Sequence, residues 1–405
     1  MKILEVLTYY RPHISGLTIY VERLCRSLAR HGHQVTVLTS QYEPSLPRHE
    51  TMDGVDIVRA PVAFRVSKGV IMPTFGFLAT KHALEADIIH LHLPQFDAPG
   101  LALRGRLLGK PVVITYHSDL RLPDGLFNRV VDYTVSTLNR VAGNLADVVV
   151  TYTGDFGRHS PFLSHYAHKK LHIIPPPVEL APCPPETTQF FATKNELAGR
   201  KVIGICARLA AEKGVEILLH ALPAILDQHP DALVLHAGPY QDILGEEAYA
   251  ARLAPLFDQY QNHYRLLGPL EGPQLTAFFQ NLDCLVLCSL NNTETFGLVQ
   301  IEAMINGVPS VASNLPGVRQ PVTITGMGEI APIGDAPALA AAVNRVLANP
   351  DHYRKDPALI AQSFHPDATA QAYLELFADL KNGRFSPDLA EPAAYQQLRA
   401  RRDQP

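Results

Sequence analysis

The fold is clearest in residues 284–304, which read CLVLCSLNNTETFGLVQIEAM. The first five residues form an apolar run of strand length, a polar turn follows, and the remainder has the apolar spacing of a helix. The segment is therefore one βα unit. Similar units recur along most of the chain, and strands that alternate with helices are typical of a parallel sheet covered by helices. We predict an α/β protein.

Two doubly wound domains are predicted, because the alternation breaks once and then restarts. Residues 175–200 contain six prolines, and proline can neither donate to a sheet ladder nor continue a helix. Ligands usually bind in the cleft between two such domains. We predict an N-terminal domain at 1–178, a Pro-rich linker at 179–200, a C-terminal domain at 201–365, a helix at 366–382 and a frayed polar tail at 383–405.

The predicted strands of the N-terminal domain are Lys2–Thr8, Gln34–Ser40, Val55–Ala60, Asp87–His92, Pro111–Tyr116, Asp147–Tyr152 and Leu171–Ile174. Those of the C-terminal domain are Lys201–Ala207, Ala232–His236, Tyr264–Leu267, Cys284–Cys288 and Val308–Ala312. Helical patterns lie between several of them, for example at Leu17–Arg30, Asp124–Gly143 and, near the end of the chain, Pro366–Leu380.

The composition excludes several function classes. With 47% hydrophobic and 18% charged residues, the 405-residue chain has ample material for two cores. Its net charge of −4 is not that of a protein that neutralises many phosphates, so we expect no nucleic-acid partner. Residues 1–180 carry 19 basic and 15 acidic side chains, which leaves 16 and 24 for the rest. The N-terminal half is thus mildly basic. This charge would attract an acidic substrate or an anionic membrane surface, and the alternative explanation is a chance scatter of surface charges.

The cysteines and apolar runs indicate an intracellular protein without a structural metal. The five cysteines are odd in number and include no Cys-x-x-Cys pair, which excludes a disulfide framework and a zinc ribbon. Cys284 and Cys288 lie in a buried strand, where cysteine acts as a small apolar residue. No run of 18 apolar residues and no signal peptide is visible. We expect a cytoplasmic location, with at most peripheral membrane contact.

Common phosphate-binding motifs are missing from the sequence. Gly326-Met-Gly328 lacks the third glycine of a dinucleotide fingerprint, and neither a Gly-rich phosphate loop nor an Asp-x-Asp pair for a divalent ion occurs. Two cationic side chains offer another means of binding phosphate. Arg208 and Lys213 follow the predicted strand Lys201–Ala207, where they could clamp a diphosphate. A solvated surface turn explains these two residues equally well.

The turn and helix after Cys288 favour a polyhydroxylated, phosphorylated ligand. Gly297 has no side chain, so backbone amides in the first turn of the helix can approach an anion closely. Glu294 and Glu302 lie eight residues apart, on the loop and on the helix, and carboxylates accept hydrogen bonds from vicinal hydroxyls. The alternative is that Glu294 caps the helix and Glu302 is solvated.

This segment, with others, resembles the retaining GT-B glycosyltransferases of family 4 (group 1). Glu294-Thr-Phe-Gly-Leu-Val-Gln-Ile-Glu302 followed by Gly307-Val-Pro309 is similar to their Glu-x7-Glu signature. Other similar segments follow in family order from residue 1 to about 350: Tyr10-Arg-Pro12, Ser15-Gly16, Gly32-His33-Gln-Val35, Asp87-Ile-Ile-His90-Leu-His92, Thr115-Tyr-His117-Ser-Asp119, Arg208 to Gly214, Ala237-Gly238-Pro239 and Leu267-Gly268.

The resemblance implies a GT-B fold of two Rossmann-like domains, with the C-terminal helix crossing back to the N-terminal domain. It implies a nucleotide-sugar donor, a saccharide, lipid-linked or small-molecule acceptor, hexose transfer with retention, and no metal or other cofactor. Arg208 and Lys213 would bind the diphosphate, Glu302 the ribose and Glu294 the sugar. The remaining donor-binding residues it implies are Gly16, Gly238, Phe296, Gly297, Leu298 and Val299.

The resemblance also places His117 at the donor sugar, with Asp119 as a possible acceptor or sugar contact. His90 and His92 alternate along a predicted strand, so we expect them to face opposite sides, as core or cleft-edge residues and not as metal ligands. The acceptor would be chosen by loops at Pro61–Thr74 and Leu120–Asn128, whose composition gives no readable code.

Three departures from the family put the identity of the donor in doubt. The first loop has Ser15-Gly16 in place of two glycines, the interdomain Pro-Asn-Gly is Pro175-Pro-Pro177, and Asn291-Asn292 lengthens the donor loop.

Two alternative functions stay open: a sugar-nucleotide epimerase on the same scaffold and a non-catalytic partner subunit. A membrane-proximal acceptor is a further hypothesis, from basic residues among apolar segments at Arg104, Arg106, Lys110, Arg121, Arg129 and Arg140.

Overall fold

The chain forms two compact units, each built on its own parallel sheet. A computed structural model describes residues 1–66, 69–119, 126–243, 245–387 and 390–402. Unit 1 comprises residues 1–177 and 364–392, and unit 2 comprises residues 178–363 and 393–405. In the described part of the chain, no helix has the length and hydrophobicity needed to span a bilayer.

Unit 1 has an eight-stranded sheet in the order β10-β9-β8-β7-β1-β2-β4-β3, in which only β3 is antiparallel to its neighbour, and a separate hairpin of β5 and β6. Its strands are β1 (Lys2–Val6), β2 (Gln34–Gln41), β3 (His49–Met52), β4 (Val55–Pro61), β5 (Phe64–Val66), β6 (Gly69–Ile71), β7 (Ile88–Leu93), β8 (Val112–Tyr116), β9 (Val148–Thr151) and β10 (Leu171–Ile173). Its helices are α1 (Gly16–Arg30), α2 (Phe75–Glu85), α3 (Ala98–Leu108), α4 (Leu126–Leu145), α5 (Gly154–His159) and, from the far end of the chain, α15 (Pro366–Lys381).

The central strand β1 shows how the unit 1 core is organised. Leu4 and Val6 are buried in the same apolar cluster as residues of α2 and α3. Glu5 points to the opposite side, because side chains alternate along a strand. That side is covered by α1 and α15, which pack against each other. The sequence therefore places one carboxylate among buried apolar residues at the middle of the sheet.

Unit 2 has a six-stranded, fully parallel sheet in the order β13-β12-β11-β14-β15-β16. Its strands are β11 (Val202–Cys206), β12 (Leu233–Ala237), β13 (Tyr264–Gly268), β14 (Cys284–Leu287), β15 (Ser310–Ser313) and β16 (Gly328–Ala331). Its helices are α6 (Pro185–Lys194), α7 (Val215–Leu226), α8 (Glu247–Gln259), α9 (Gly272–Gln280), α10 (Leu298–Met304), α11 (Gln320–Thr325), α12 (Ala336–Ala348), α13 (Pro350–Tyr353), α14 (Pro357–Ser363) and α16 (Ala393–Arg402). A 3-10 turn at Ala211–Lys213 precedes α7.

The strand order of unit 2 reverses between β11 and β14, which is the doubly wound order with its ligand crevice at the carboxyl ends of those two strands. Unit 1 reverses in the same way between β1 and β7. Each unit therefore has one position at which two loops diverge from neighbouring strands and leave room for a ligand.

Two expectations about irregular segments are corrected. The predicted linker at 179–200 contains helix α6, which packs against α9 and buries Phe191 in a unit 2 core. Proline did not prevent this helix, because Pro184 and Pro185 lie at its N-cap and first position, where no amide hydrogen is needed. The predicted frayed tail contains α16, which packs on α11 and buries Tyr395 and Leu398.

Candidate active site

One candidate region lies at the reversal of the unit 2 sheet, where the segments after β11 and β14 meet. Backbone N–H of Leu290 donates to the carbonyl of Glu212 at 2.9 Å, and the Cys288 thiol donates to the carbonyl of Gly214 at 3.1 Å. Gly214 has φ +65°, and a Cβ there would lie 2.3 Å from the Cys288 carbonyl oxygen. Glycine at 214 thus allows the two segments to touch.

This contact brings Lys213 to Glu294, which are 81 residues apart in the sequence. Lys213 Nζ donates to Glu294 Oε2 at 2.7 Å, and the two side chains are only 19% and 20% exposed. A partly buried, charge-assisted hydrogen bond of this kind fixes both groups more firmly than a surface pair would. The structure thus brings together two residues that the sequence analysis assigned to one site.

Arg208 is held in the same region by two carboxylates that the sequence analysis did not single out. Its guanidinium donates to Glu212 and lies 3.9 Å from Glu246 Oε1. Gly238 acts on Arg208 through the backbone, because its φ is +139° and a Cβ there would lie 2.1 Å from the Ala207 carbonyl oxygen. Gly238 therefore permits the β12 end to pass beside the residue preceding Arg208.

Glu302 is only 6% exposed, so the alternative that it is a solvated helix residue is wrong. It lies close enough to Cys206 to influence the thiol: burial raises the pKa of Cys206, Glu302 raises it further, and Lys213 opposes the rise. Glu302 and Lys213 are therefore both near the end of β11. We call Arg208, Lys213, Glu294 and Glu302 the unit 2 cluster.

The turn that precedes Glu302 is rigidly held by Gln300. Its amide nitrogen donates to the carbonyls of Phe296 and Val318 at 3.0 and 2.8 Å. Gly297 has φ +78°, and a Cβ there would lie 2.3 Å from Leu287. The Phe296 ring is buried in the core, so this residue can offer a ligand only its backbone, whereas Leu298 and Val299 are half-buried.

The inserted residues of the donor loop form a turn of their own. Asn291 Oδ1 accepts from the backbone N–H and the hydroxyl of Thr293 at 3.1 and 2.7 Å, which is a side-chain turn that asparagine commonly makes. Such a turn accommodates two extra residues locally, so the chain still delivers Glu294 to Lys213.

A separate candidate region lies in unit 1, where buried polar side chains form a hydrogen-bonded network. His117, at the end of β8, has Nε2 at 2.9 Å from His92 Nδ1, and its Nδ1 contacts the Tyr152 hydroxyl. His92 Nε2 lies 2.7 Å from Glu5 Oε2, and His90 Nδ1 lies 2.9 Å from the same oxygen. We call Glu5, His90, His92, His117 and Tyr152 the unit 1 network.

This network corrects the expectation that His90 and His92 face opposite sides. Residues two apart on a strand share a face, and both imidazoles reach Glu5. These three are also the one group in the described residues whose ligand atoms are close enough together for a metal ion. His92 Nε2 is a hydrogen-bond partner of Glu5 Oε2 at 2.7 Å, whereas His90 Nδ1 lies within ion-pair distance of the same oxygen.

The protonation states of the network follow from burial and neighbouring charge. Burial alone would raise the pKa of Glu5, but His90 and His92 outweigh it and bring the pKa to about 2. Burial lowers the pKa of His92 to about 4, and burial followed by the charges of His92 and His90 lowers the pKa of His117. Near neutral pH, Glu5 is therefore ionised while His92 and His117 are uncharged.

These states assign a direction to each hydrogen bond. A carboxylate only accepts, so His92 Nε2 donates to Glu5, and the other nitrogen of this neutral ring accepts from His117 Nε2. His117 Nδ1 is then left to accept from the Tyr152 hydroxyl. Both ring nitrogens of His117 are engaged, so a ligand hydroxyl reaches Nδ1 only by replacing that of Tyr152.

The other unit 1 residues expected at the site are placed as follows. Asp119 Oδ1 accepts from Ser160 Oγ at 2.6 Å and from the Tyr116 hydroxyl at 3.1 Å. Gly16 is the first residue of α1, and a Cβ there would meet no atom within 4 Å. Residues 67–68 of one predicted acceptor loop and 120–125 of the other, with Arg121, lie outside the described residues.

Comparison with known families gives two successive matches. Residues 14–181 match the model described as Glycosyltransferase Family 4, and residues 186–360 match the model described as Glycosyl transferases group 1. The glycogen synthase of Mycobacterium tuberculosis is 27% identical over 407 residues, which covers 92% of this chain and 94% of that protein. The two matches together cover most of the chain.

Comparison with solved structures shows the fold. Sucrose-phosphate synthase from Thermosynechococcus elongatus aligns with 94% of this chain and 99% of its own, with a TM-score of 0.72 at 21% identity. Anabaena HepE in complex with UDP-glucose aligns with 94% of this chain and 100% of its own, with a TM-score of 0.72 at 18% identity. These neighbours are GT-B enzymes, and the fold of this chain is GT-B, as expected.

We expect Glu5→Gln to destabilise the protein strongly at pH 7. Removing the charge of one fully buried partner typically costs about 3–5 kcal/mol. Because the pKa of Glu5 falls from 4.5 to about 2 on folding, its contribution is complete above pH 4.5 and is lost as the pH falls through about 2. The difference between the variant and the wild type should shrink over that range, measured by urea unfolding at successive pH values.

The matched control is Asp379→Asn, which breaks an exposed pair with Arg384 in the same unit. An exposed pair contributes about 1 kcal/mol or less, so this variant should unfold close to the wild type. Equal stability of Glu5→Gln and the wild type at pH 7 would contradict an ionised Glu5.

Proposed function

Because this chain belongs to the group 1 glycosyltransferases of family 4, we propose that it moves a hexose from a nucleoside diphosphate sugar to an acceptor hydroxyl. We propose further that transfer retains the anomeric configuration and needs no metal ion. The observation that carries this proposal is the Lys213–Glu294 pair at the reversal of the unit 2 sheet. It sets a cation beside a carboxylate, as a diphosphate joined to a polyhydroxylated sugar requires.

In this proposal Arg208 and Lys213 stabilise the diphosphate leaving group. Fixed cations that point at developing negative charge lower the barrier without reorganisation during the reaction. Glu212 and Glu246 hold Arg208, and Glu294 holds Lys213, so both cations are positioned before the donor binds. Together they supply the charge that a metal ion provides in enzymes with an Asp-x-Asp pair.

Glu302 and Glu294 are assigned different parts of the donor. Glu302 is buried near the end of β11, where it suits the ribose hydroxyls, and Glu294 lies on the loop, where it suits the sugar. The backbone at Phe296–Val299 lies between them in the sequence and supplies amides to phosphate and sugar. HepE was solved with UDP-glucose, which supports testing UDP sugars first.

Retention is proposed through a dissociative step on one face of the sugar. The bond from the anomeric carbon to the phosphate oxygen lengthens, and the sugar gains oxocarbenium character. The departing phosphate oxygen takes the proton of the acceptor hydroxyl, whose oxygen bonds to the anomeric carbon on the same face. Glu294 is held by Lys213, so we assign it to sugar binding and not to nucleophilic attack. His117 and Asp119 are the contribution of unit 1 to sugar or acceptor contacts.

We expect one class of nucleoside diphosphate sugar to raise the melting temperature, in a panel of UDP, GDP and ADP sugars. A ligand at 100 times its Kd adds about 2.7 kcal/mol to stability. Arg208→Ala and Lys213→Ala should each lower the affinity for the donor by tenfold or more, because each removes a cation that contacts the diphosphate. Arg354→Ala is the control, since Arg354 is an exposed residue of the same unit that pairs with Asp351.

Product analysis then separates this proposal from its alternatives. Transfer requires an acceptor and is unaffected by EDTA, and the anomeric configuration of the product is read by NMR. Conversion of the donor sugar in the absence of an acceptor would indicate an epimerase. A melting temperature that no sugar nucleotide of the panel raises would indicate a non-catalytic subunit. Loss of activity in EDTA, restored by magnesium, would overturn metal independence.

The two glutamates should separate binding from transfer. Glu302→Gln weakens the affinity for the bare nucleoside diphosphate, because it alters the ribose contact. Glu294→Gln leaves that affinity nearly unchanged, because its side-chain oxygen can still accept from Lys213, but it lowers the transfer rate. Both quantities are measured on the same preparations, by calorimetry and by product formation. An equal loss of nucleotide affinity in the two variants would contradict this division.

We also propose peripheral membrane contact through unit 1. Of the thirteen large apolar side chains that are exposed among the described residues, eleven belong to this unit, which is also the more basic one. Arg104, Arg106, Lys110, Arg129 and Arg140 lie on or just after α3 and α4. Apolar side chains with cations beside them suit a lipid headgroup surface. Those on α2, α3 and α4 are Phe77, Leu84, Leu103, Leu107, Val130, Tyr133 and Val141.

We expect the protein to co-sediment with anionic vesicles at low salt and to be released as salt rises. Leu107→Asp should weaken this association, since Leu107 on α3 is 76% exposed. Phe190→Asp is the control, because Phe190 is 65% exposed but lies in unit 2. A protein that stays in the supernatant with anionic and neutral vesicles alike has no such contact.

A further inference from the structure

A large cavity lies in unit 1, at the point where the strand order of its sheet reverses. It has a volume of about 390 Å³ and is lined by the segment that follows β1, by β6, by the segment that follows β7, and by α4. Pockets of this size hold small molecules, and their usual place in a doubly wound sheet is this reversal. All of its lining residues belong to unit 1.

Most of the wall is apolar. Helix α4 contributes Val130, Val131 and Val135, of which the last two share a face, while Val70 and Ile71 come from β6 and Leu17 from α1. At the mouth, Phe96 and Val130 are 49% and 58% exposed. Exposed apolar groups that border an apolar cavity mark a ligand site and not a solvated surface.

Part of the lining is polar and incompletely bonded. Gln95 lines the cavity and is only 2% exposed, yet in the described structure neither its side-chain nitrogen nor its side-chain oxygen has a hydrogen-bond partner. Buried amides are normally bonded, and leaving one unbonded is costly. Asp97 lies in the same lining, and burial raises its pKa to about 6. The polar lining at Gln95 and Asp97 therefore fits a ligand that donates and accepts hydrogen bonds.

We propose that the cavity binds an amphiphilic acceptor, with an apolar aglycone or lipid chain against α4 and a hydroxyl-bearing head at Gln95. The inference rests on the proposed function, because it names the class of its acceptor. An apolar wall that meets an unbonded amide matches this class of molecule and does not match a free sugar, which offers nothing to cover the valines.

The test is the affinity for methyl, butyl, hexyl and octyl β-D-glucopyranoside, measured by calorimetry below their micelle concentrations, with glucose as the reference. Each methylene that enters the cavity should tighten binding by about fourfold. An affinity that does not change from methyl to octyl overturns the proposal, whatever the donor panel shows.

Two valines on the same helix provide matched variants. Val130 and Val141 are both exposed on α4, but only Val130 lines the cavity. Val130→Asp should reduce octyl glucoside affinity by tenfold or more, and Val141→Asp should leave it unchanged. Gln95→Ala should lower the affinities for methyl and octyl glucoside by the same factor. If the affinity of Val130→Asp for the glucosides depends on alkyl chain length in the same way as that of Val141→Asp, the alkyl chain binds elsewhere and the proposal is wrong.

A donor-induced rise in melting temperature, measured on each variant, shows that unit 2 remains folded and separates the two proposals. Octyl glucoside that binds the cavity but accepts no sugar from any donor that binds would overturn the transfer activity while supporting the cavity's ligand class. Vesicles of phosphatidylcholine with and without hexadecyl glucoside distinguish the source: recruitment only with the glucoside indicates a lipid acceptor, and binding of octyl glucoside without recruitment indicates a soluble one.

Discussion

A single ionised carboxylate, Glu5, sets the arrangement of unit 1. It is fully buried at the middle of the sheet, where an uncompensated charge would be strongly destabilising. His90 and His92 compensate it, and His90 continues through Thr115 to the hydroxyl of Tyr373 on α15, at 2.7 and 2.6 Å. A helix from the far end of the chain therefore completes the shell around Glu5.

In unit 2, the charged residues of the cluster come from segments far apart in the sequence and meet at the carboxyl ends of β11 and β14. Two glycines make this possible. Gly214 and Gly238 each allow backbone to approach within a distance that any Cβ would block, and the residues beside them are Lys213 and, across the contact, Arg208. The cations are consequently placed by backbone geometry at the ends of strands, which explains why the local sequence pattern around them is enough to predict their position.

The sequence predicted which residues lie together where these residues follow strand ends, and it failed where the contacts join side chains from separate strands. Arg208, Lys213, Glu294 and Glu302 were all predicted, since each follows or precedes a strand that periodicity identifies. The unit 1 network was missed because it joins Glu5, on β1, to histidines that come 85 or more residues later. β16 was missed as well, because Gly-Glu-Ile-Ala has no apolar run. Burial and register, not local pattern, determine these features.

The same distinction bears on what each unit can specify. In the proposed function, the polar residues of the unit 2 cluster discriminate among donors through hydrogen bonds, whose loss is costly in a buried site. The unit 1 cavity is mostly apolar, and apolar walls discriminate only weakly among molecules of similar size. Gln95, with its unbonded amide, is the group there that can reject a wrong head group strongly. If the cavity binds the acceptor as proposed, substitutions at few residues of α4 and of the segment after β7 would change the acceptor without disturbing the donor site.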